Sequence, residues 1–247
     1  MKTYKIIVAY DGTDYQGWQE QPHGKTVVQA LQKSFKAAFF LPILIKGASR
    51  TDAGVHALGQ VAKFQTTLNI SAKQLLKVWE QKVPSDISII SIEEVDPEFK
   101  PTHNVIEKTY SYKIFTKRPL PQEQRFGVEW KKKLDINKLK TCLKIFVGTH
   151  DFRSFCSGYE FTGGSVRTIN SISIESENMN NTITIVFKGP GFLKYMIRRI
   201  VGACLQAASC KKLNETDLQK AMDEKNPLQS LLTAPAKGLT LEKIEYK

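Results

Sequence analysis

The sequence predicts an α/β protein of two similar halves, each with an antiparallel-rich sheet flanked by helices. Short β-branched and aromatic runs alternate with amphipathic segments, and the second half repeats the order of the first. A chain of 247 residues is long enough for two domains. We therefore expect halves at 1–116 and 134–247, joined by a connection at 117–133 that is rich in proline and lysine.

The first half is expected to hold five strands and two helices. Tyr4 to Ala9 is a β-branched and aromatic run that ends at the turn signal Asp11-Gly12. Thr26 can cap a helix with Val27, Leu31 and Phe35 on one side. The periodicity predicts the remaining strands over 41–46, 61–66, 87–95 and 108–115, and a helix over 70–81.

The second half is expected to begin with a helix over 136–146. Strands are predicted over 171–176 and 182–188, on either side of a turn at 178–181. A long apolar helix is predicted over 192–208. These elements repeat the alternation of the first half and favour a second sheet.

Composition limits the class of protein. Lys and Arg exceed Asp and Glu by 36 to 24, a net charge of +12, which favours a polyanionic partner but is also typical of a solvated lysine-rich surface. Cys142, Cys156, Cys204 and Cys210 form no CxxC pair, so we expect reduced thiols and no zinc. Without a secretory core at the start or a membrane-length apolar run, a cytoplasmic protein is expected, with no membrane partner.

The segment 47–59 separates two of the predicted strands and holds Asp52 between Gly47 and Gly54. Glycines let a backbone approach a ligand closely, so a carboxylate here is suited to catalysis. A lone Asp in a loop, however, more often caps its own turn.

The longer string around Asp52 favours catalysis. Residues 49–61, SRTDAGVHALGQV, closely resemble the catalytic motif of the tRNA pseudouridine synthase A (TruA) family. Further segments resemble family motifs in the same order and spacing, and they cover the chain almost from end to end: 10–18, 108–112, 148–155, 167–169, 191–202 and 234–239. The resemblance implies the pseudouridine synthase fold, in which the first half carries the catalytic Asp loop and the second completes the active-site cleft.

The resemblance also implies a function. Family members isomerise uridine to pseudouridine in the anticodon stem-loop of tRNA, without metal or cofactor and usually as homodimers. By position, Asp52 is the catalytic aspartate and Tyr110 the active-site aromatic residue. Arg198 is the basic partner of the aspartate, and Leu239 is an apolar wall of the uracil pocket.

The chemistry requires such residues. The bond between N1 of uracil and the ribose breaks, the base turns, and a bond to C5 forms, so no electrons are gained or lost. A carboxylate can act as a nucleophile or as a base in this step. A nearby guanidinium would keep Asp52 ionised, which is the role expected of Arg198. Alternatively, Arg198 and Arg199 at a helix start contact RNA phosphate.

Other basic and aromatic residues have expected roles in binding RNA. Arg50 and Thr51, beside Asp52, are expected to contact the substrate, with Arg50 as a wedge or phosphate ligand. Tyr110 and Tyr112 share one strand face, which is typical of either a core or a stacking surface. Further contacts with the RNA backbone are expected from Lys194, Arg199 and the lysines at 131–133.

Departures from the family pattern leave alternatives open. Pro101 and Thr102 stand where alanine and arginine are common, Lys108 where arginine is common, and Val28 where glutamine is common. These changes affect the RNA contact surface, so a family member that modifies another RNA, such as rRNA, is an alternative. A non-catalytic RNA-binding protein with the same fold is another. A glycosidase is disfavoured because no second carboxylic acid occupies a comparable motif.

Histidines are expected to serve structural hydrogen bonds. His56, His103 and His150 have neither mutual spacing nor neighbouring cysteines that suit a metal site. Hydrogen bonding within their loops is therefore the favoured role.

Overall fold

A computed structural model describes residues 1–157, 164–177, 181–210 and 213–247. In these ranges the chain forms eleven strands and five α-helices, which confirms the predicted α/β class. None of the helices in the described ranges combines the length and the apolar character needed to cross a membrane.

Two compact units divide the chain. The first comprises residues 1–106 and 240–247, and the second comprises residues 107–239. This division differs from the predicted halves 1–116 and 134–247, because the last strand returns to pair with a strand of the first unit. The segment 117–133 lies inside the second unit.

The first unit is a mixed sheet with two helices. Its elements are β1 (Lys2–Tyr10), α1 (Val27–Phe39), β2 (Lys46–Gly47), β3 (His56–Thr66), α2 (Ala72–Glu80), β4 (Ile87–Val95) and β11 (Leu239–Tyr246). The strands lie in the order β4-β1-β3-β11. β1 is antiparallel to both β3 and β4, whereas β11 runs parallel to β3.

Helix α1 forms as its cap and its periodicity predict. The Thr26 side chain accepts from the Gln29 backbone N–H while the Gln29 side chain accepts from Thr26, a complete capping box. The apolar side of α1 packs into an aromatic cluster in which the ring centroid of Phe35 lies 4.9 Å from that of Trp79. Phe64 of β3 completes this cluster with edge contacts to both rings.

The predicted strand at 41–46 is wrong, since only Lys46–Gly47 pairs with β3. Phe40 ends α1 in the left-handed conformation, and Pro42 has no N–H for a sheet and restricts Leu41. In contrast, β3 begins at His56, earlier than the predicted 61. The small residues at 57 and 59 resemble a loop in sequence, but here they lie in a strand paired with β1 and β11.

The second unit contains a three-stranded antiparallel sheet in the order β5-β10-β9 and a separate ribbon of β7 and β8. β5 begins with two residues of the first unit, and β6 pairs with it in parallel. The elements are β5 (Val105–Phe115), β6 (Val128–Glu129), α3 (Ile136–Lys144), β7 (Gly148–Asp151), β8 (Val166–Ile169), β9 (Ser171–Glu177), β10 (Thr182–Gly189), α4 (Met196–Ser209) and α5 (Glu215–Asp223).

Helix α4 begins four residues later than the expected 192. Tyr195, the residue before its first turn, has a φ of 63°, a left-handed conformation that a helix interior does not accept. The sequence analysis missed β6, β7, β8, β11 and α5, all short or weakly periodic. Residues 178–180 of the predicted turn lie outside the described part of the chain.

Phe35→Ala is expected to lower the free energy of unfolding by about 3–5 kcal/mol, because it opens a cavity in the aromatic cluster. Phe40→Ala, five residues later, is the matched control, since Phe40 is 87% exposed while Phe35 is fully buried. The control is expected to change stability by less than about 0.5 kcal/mol. Urea unfolding of both variants measures the difference, and equal losses would contradict this account of the core.

Candidate active site

Asp52 lies in a tight turn immediately before β3. The Val55 N–H donates to the Asp52 carbonyl oxygen over 3.1 Å, which closes a four-residue turn. Gly54, the third residue of this turn, has a φ of 77°, a value that a type II turn requires and that glycine adopts without strain. The turn holds the partly buried Asp52 at a fixed place on the chain.

Hydrogen bonds attach this turn to the loop that follows β1. The hydroxyls of Tyr10 and Thr51 lie 2.8 Å apart in a buried contact. The Trp18 N–H donates to the Thr51 carbonyl, and the Gly54 N–H donates to the Tyr15 carbonyl, each over 3.1 Å. These contacts favour a positioning role for Thr51 over the substrate contact predicted from the sequence.

Two glycines allow the loops to touch. A Cβ atom on Gly12 would lie 2.0 Å from the Val55 carbonyl oxygen. A Cβ atom on Gly17 would lie 2.5 Å from the Thr51 carbonyl oxygen, and Gly17 also has a φ of 89°. Any side chain at either position would therefore push the first loop away from the Asp52 turn.

A buried glutamine fixes the start of the loop that carries Asp52. The Gln60 Nε2 donates to the Ser49 carbonyl over 2.7 Å, and the Gln60 Oε1 accepts from the Ser49 N–H over 3.2 Å. One side chain thus satisfies both backbone groups of Ser49, three residues before Asp52. Sequence reasoning included Gln60 in the motif but gave it no role.

His56 lies at the same junction and is almost fully buried. The Gly12 N–H donates to His56 Nδ1 over 3.0 Å, and the Asp11 Oδ1 lies 3.2 Å from the same nitrogen. These contacts agree with the structural hydrogen bonding expected of His56. Arg50, by contrast, is exposed to solvent beside the Asp52 turn.

In the second unit, Tyr110 and Tyr112 of β5 differ in surroundings. The Tyr112 hydroxyl donates to the Pro235 carbonyl over 2.9 Å, and burial raises its pKa well above the usual range. Tyr110 is 8% exposed, and its ring meets the ring of Phe192 edge-on, with centroids 5.3 Å apart. Tyr112 therefore supports the structure, whereas Tyr110 lies next to the segment that leads into α4.

Arg198 lies in the first turn of α4 and is held on two sides. Its Nε donates to the Ala234 carbonyl over 2.9 Å, and its guanidinium carbon lies 4.9 Å from the centre of the Tyr195 ring. The first turn of α4 contains no acidic residue. The positive end of the helix dipole and the guanidinium therefore combine to favour an anion here.

The neighbouring cations, Arg199 and Lys194, make different contacts from those of Arg198. The Arg199 Nη1 donates to the carbonyls of Cys156 and Pro227 over 2.6 and 3.2 Å. These contacts favour a structural role for Arg199 over the predicted phosphate contact. Lys194 is exposed, with its Nζ 5.4 Å from the centre of the Tyr195 ring.

The site residues predicted from the sequence fall into two groups. Arg50, Thr51 and Asp52 are consecutive on one turn of the first unit. The second unit carries Tyr110, Lys194, Arg198 and Arg199, together with Leu239, which is buried at 6% exposure. The pairing of Asp52 with Arg198 joins residues of different units and stays a prediction.

The fold and these residues define an enzyme class, with a carboxylate on a fixed turn and cations suited to a polyanionic substrate. Comparison with known proteins identifies this enzyme class. The family model described as tRNA pseudouridine synthase matches residues 6–103 and 143–247. The chain is 38% identical to "tRNA pseudouridine synthase A 2" of Clostridium perfringens, with 100% of both chains covered. It is 36% identical to "tRNA pseudouridine synthase A" of Thermodesulfovibrio yellowstonii, again with 100% of both covered.

This chain therefore belongs to the tRNA pseudouridine synthase family.

Gln60→Leu is expected to lower the free energy of unfolding by about 2–4 kcal/mol, because the N–H and carbonyl of Ser49 lose their buried partners. Turnover is expected to fall more than stability alone explains, since the Asp52 loop loses its anchor. Gln81→Leu, on an exposed side chain, is the control. Urea unfolding and turnover at a temperature where both variants are folded would measure the effects; unchanged turnover in Gln60→Leu would exclude the anchoring role.

Lys108 precedes Tyr110 by two residues on β5, so both side chains leave the same face of the strand. Burial lowers the Lys108 pKa to about 8. Folding therefore disfavours the charged amine; this destabilisation is complete below pH 8 and disappears as the pH rises towards the unfolded value of about 10.4.

If the charged amine assists RNA binding or turnover, kcat/KM is expected to decline above about pH 8. Lys108→Arg is expected to remove this decline, because a guanidinium stays charged throughout the range. The measurement is a pH profile of kcat/KM for both proteins from pH 6 to 10. A decline near pH 8 that persists in Lys108→Arg would assign it to another group.

Proposed function

We propose that this protein isomerises uridine to pseudouridine in tRNA, within the anticodon stem-loop, and that Asp52 is its catalytic carboxylate. The observation that carries the proposal is the turn at residues 52–55, which presents Asp52 next to the loop at 10–18. Membership of the tRNA pseudouridine synthase family supports the same activity.

The proposed reaction needs one carboxylate and no change of oxidation state. Asp52 attacks the sugar or the base, or removes a proton from the sugar, and the bond between N1 and the ribose breaks. The base turns, C5 bonds to the ribose, the C5 proton is removed and N1 takes up a proton, so the product has the same composition as the substrate. Because Asp52 is released at the end, the enzyme is an isomerase that ends each turnover in its starting state.

Arg198 is the proposed partner that keeps Asp52 ionised. Its hydrogen bond to the Ala234 carbonyl and its contact with the Tyr195 ring limit the positions that the guanidinium can take. A guanidinium remains charged at all physiological pH values, so it can lower the pKa of a carboxylate throughout the working range. The positive end of α4 adds to this effect.

The other proposed contacts concern the base and the RNA backbone. Tyr110 stacks on the uracil or helps to remove the C5 proton, and Leu239 forms an apolar wall of the pocket. The target base leaves its stack at a cost of about a few kcal/mol, and Arg50 stabilises the opened RNA as a wedge or phosphate ligand. Lys194 and the lysines at 131–133 contact phosphates.

The family resemblance also supports two further proposals, that the protein acts as a homodimer and that it works in the cytoplasm. Sedimentation of the protein with and without tRNA measures the first, and a single monomeric species in both conditions would contradict it. Fractionation of cells that express the tagged protein measures the second.

Asp52→Asn is expected to abolish pseudouridine formation, because an amide of the same shape can neither attack nor accept the proton. Wild-type and variant proteins are incubated with unmodified tRNA and rRNA transcripts, and pseudouridine is mapped by carbodiimide-stop primer extension. Arg198→Ala and Tyr110→Phe are compared in the same assay. A large loss is expected for Arg198→Ala, whereas full activity of Tyr110→Phe would remove the hydroxyl from the mechanism.

The outcomes separate the alternatives. Modification of tRNA by wild type alone supports the proposal, and modification of rRNA alone moves the function to another substrate. If neither RNA is modified although both bind in a salt-dependent manner, the protein is a binding protein with the same fold. Asp52→Asn that keeps wild-type activity would remove Asp52 from the chemistry.

A further inference from the structure

We propose that a basic cleft in the second unit binds one phosphodiester group of the substrate RNA close to the target nucleotide. This inference rests on the proposed function for the identity of the RNA. The cleft encloses about 300 Å³ and is lined by Arg118, Pro119, Gln124, Glu129, Lys131 and Lys237. Of these residues, Lys131 is already among the lysines proposed to contact phosphates, and the other five have no role in the site described above.

Charge is the first reason for assigning this cleft to phosphate. Three of its six lining residues are cations, Arg118, Lys131 and Lys237, and Glu129 is the only acid among them. The surrounding segment 117–133 contains six Lys or Arg residues and two Glu residues. An excess of positive charge in a concave surface raises the local concentration of an anionic ligand.

The cleft is also built on a well-fixed segment. The Trp130 N–H donates to the Phe115 carbonyl over 2.8 Å, and the Trp130 indole N–H donates to Ser209 Oγ over 2.8 Å. Strand β6 pairs with β5, and a Cβ atom on Gly127 would lie 2.3 Å from the Phe115 ring. The positions of Glu129 and Lys131 are therefore fixed by the strand that carries Tyr110.

Lys237 connects the cleft to the predicted uracil pocket. Its Nζ donates to the Gln124 carbonyl over 3.0 Å, which joins the two sides of the cleft. Gly238 packs against the Tyr112 ring, and Leu239 follows. Because two residues span at most about 7 Å, the backbone of Lys237 at the edge of the cleft lies within that distance of the backbone of Leu239.

Substitution of Glu129 tests the proposed phosphate site because its expected effect on RNA affinity is opposite to that of removing a cation. Removal of a cation from the cleft is expected to weaken RNA binding, whereas removal of the Glu129 charge is expected to strengthen it. A general effect of net charge would not distinguish the lining residues from other surface residues. Lys140, exposed on α3 and absent from the lining, provides a control with the same change of charge.

The experiment measures Kd for unmodified tRNA transcript by fluorescence anisotropy over a range of KCl concentrations. Arg118→Gln, Lys131→Gln and Lys237→Gln are each expected to raise Kd about two- to fivefold relative to Lys140→Gln. Each is also expected to reduce the slope of log Kd against log salt by about 1. Glu129→Gln is expected to lower Kd, and Lys237→Arg is expected to retain wild-type binding.

Single-turnover rates at saturating tRNA are expected to be unchanged in the Arg118 and Lys237 variants, because these residues lie in the cleft and do not touch the reacting atoms. Cleft variants that match Lys140→Gln in Kd and salt slope would overturn the inference while leaving the proposed activity intact. Conversely, the wild-type protein could form no pseudouridine while the cleft variants still bind tRNA more weakly than the wild type. That result would refute the proposed function and retain the proposed cleft.

Discussion

The close approach of the Gly12 and Val55 backbones is the constraint on which the Asp52 loop depends. A Cβ atom at Gly12 would lie 2.0 Å from the Val55 carbonyl oxygen, so the two loops can meet only where one of them has no side chain. Once they meet, the hydroxyls of Tyr10 and Thr51 pair, and His56 accepts from the Gly12 N–H. The position of Asp52 follows from contacts made by its neighbours.

A similar principle operates around Arg198. The guanidinium is held by a backbone carbonyl from a segment 36 residues away, and the Ala234 N–H donates in return to the Arg198 carbonyl over 2.9 Å. Fixed groups reorganise little when charge develops in a reaction, which is how a preorganised site lowers a barrier. The positions of Asp52 and Arg198, the two proposed catalytic side chains, thus depend on backbone groups brought from distant parts of the sequence.

The segment 117–133, predicted to be a connection, is an ordered part of the second unit. Its prolines and lysines are typical of a connection, yet Val128 and Glu129 form a strand, Gly127 is buried, and Trp130 is hydrogen-bonded to Ser209 of α4. A rigid base keeps its charges in place, so the proposed binding of RNA there would lose less conformational entropy than binding to a free linker. The proposed cleft would thus hold part of the high net charge of the chain on a fixed base.

Much of the protein follows from its sequence alone. Hydrophobic periodicity and capping residues predict α1, α2, β1 and β4 because these depend on neighbours within a few residues, and the motif at 49–61 marks Asp52. Strands such as β7 and β11 escape prediction because pairing with distant strands creates them. Only the tertiary structure shows which contacts Arg198 and Arg199 make. The two are adjacent and chemically identical, but a helix turns by about 100° per residue. One guanidinium therefore meets Ala234 and Tyr195, while the other is directed to the carbonyls of Cys156 and Pro227.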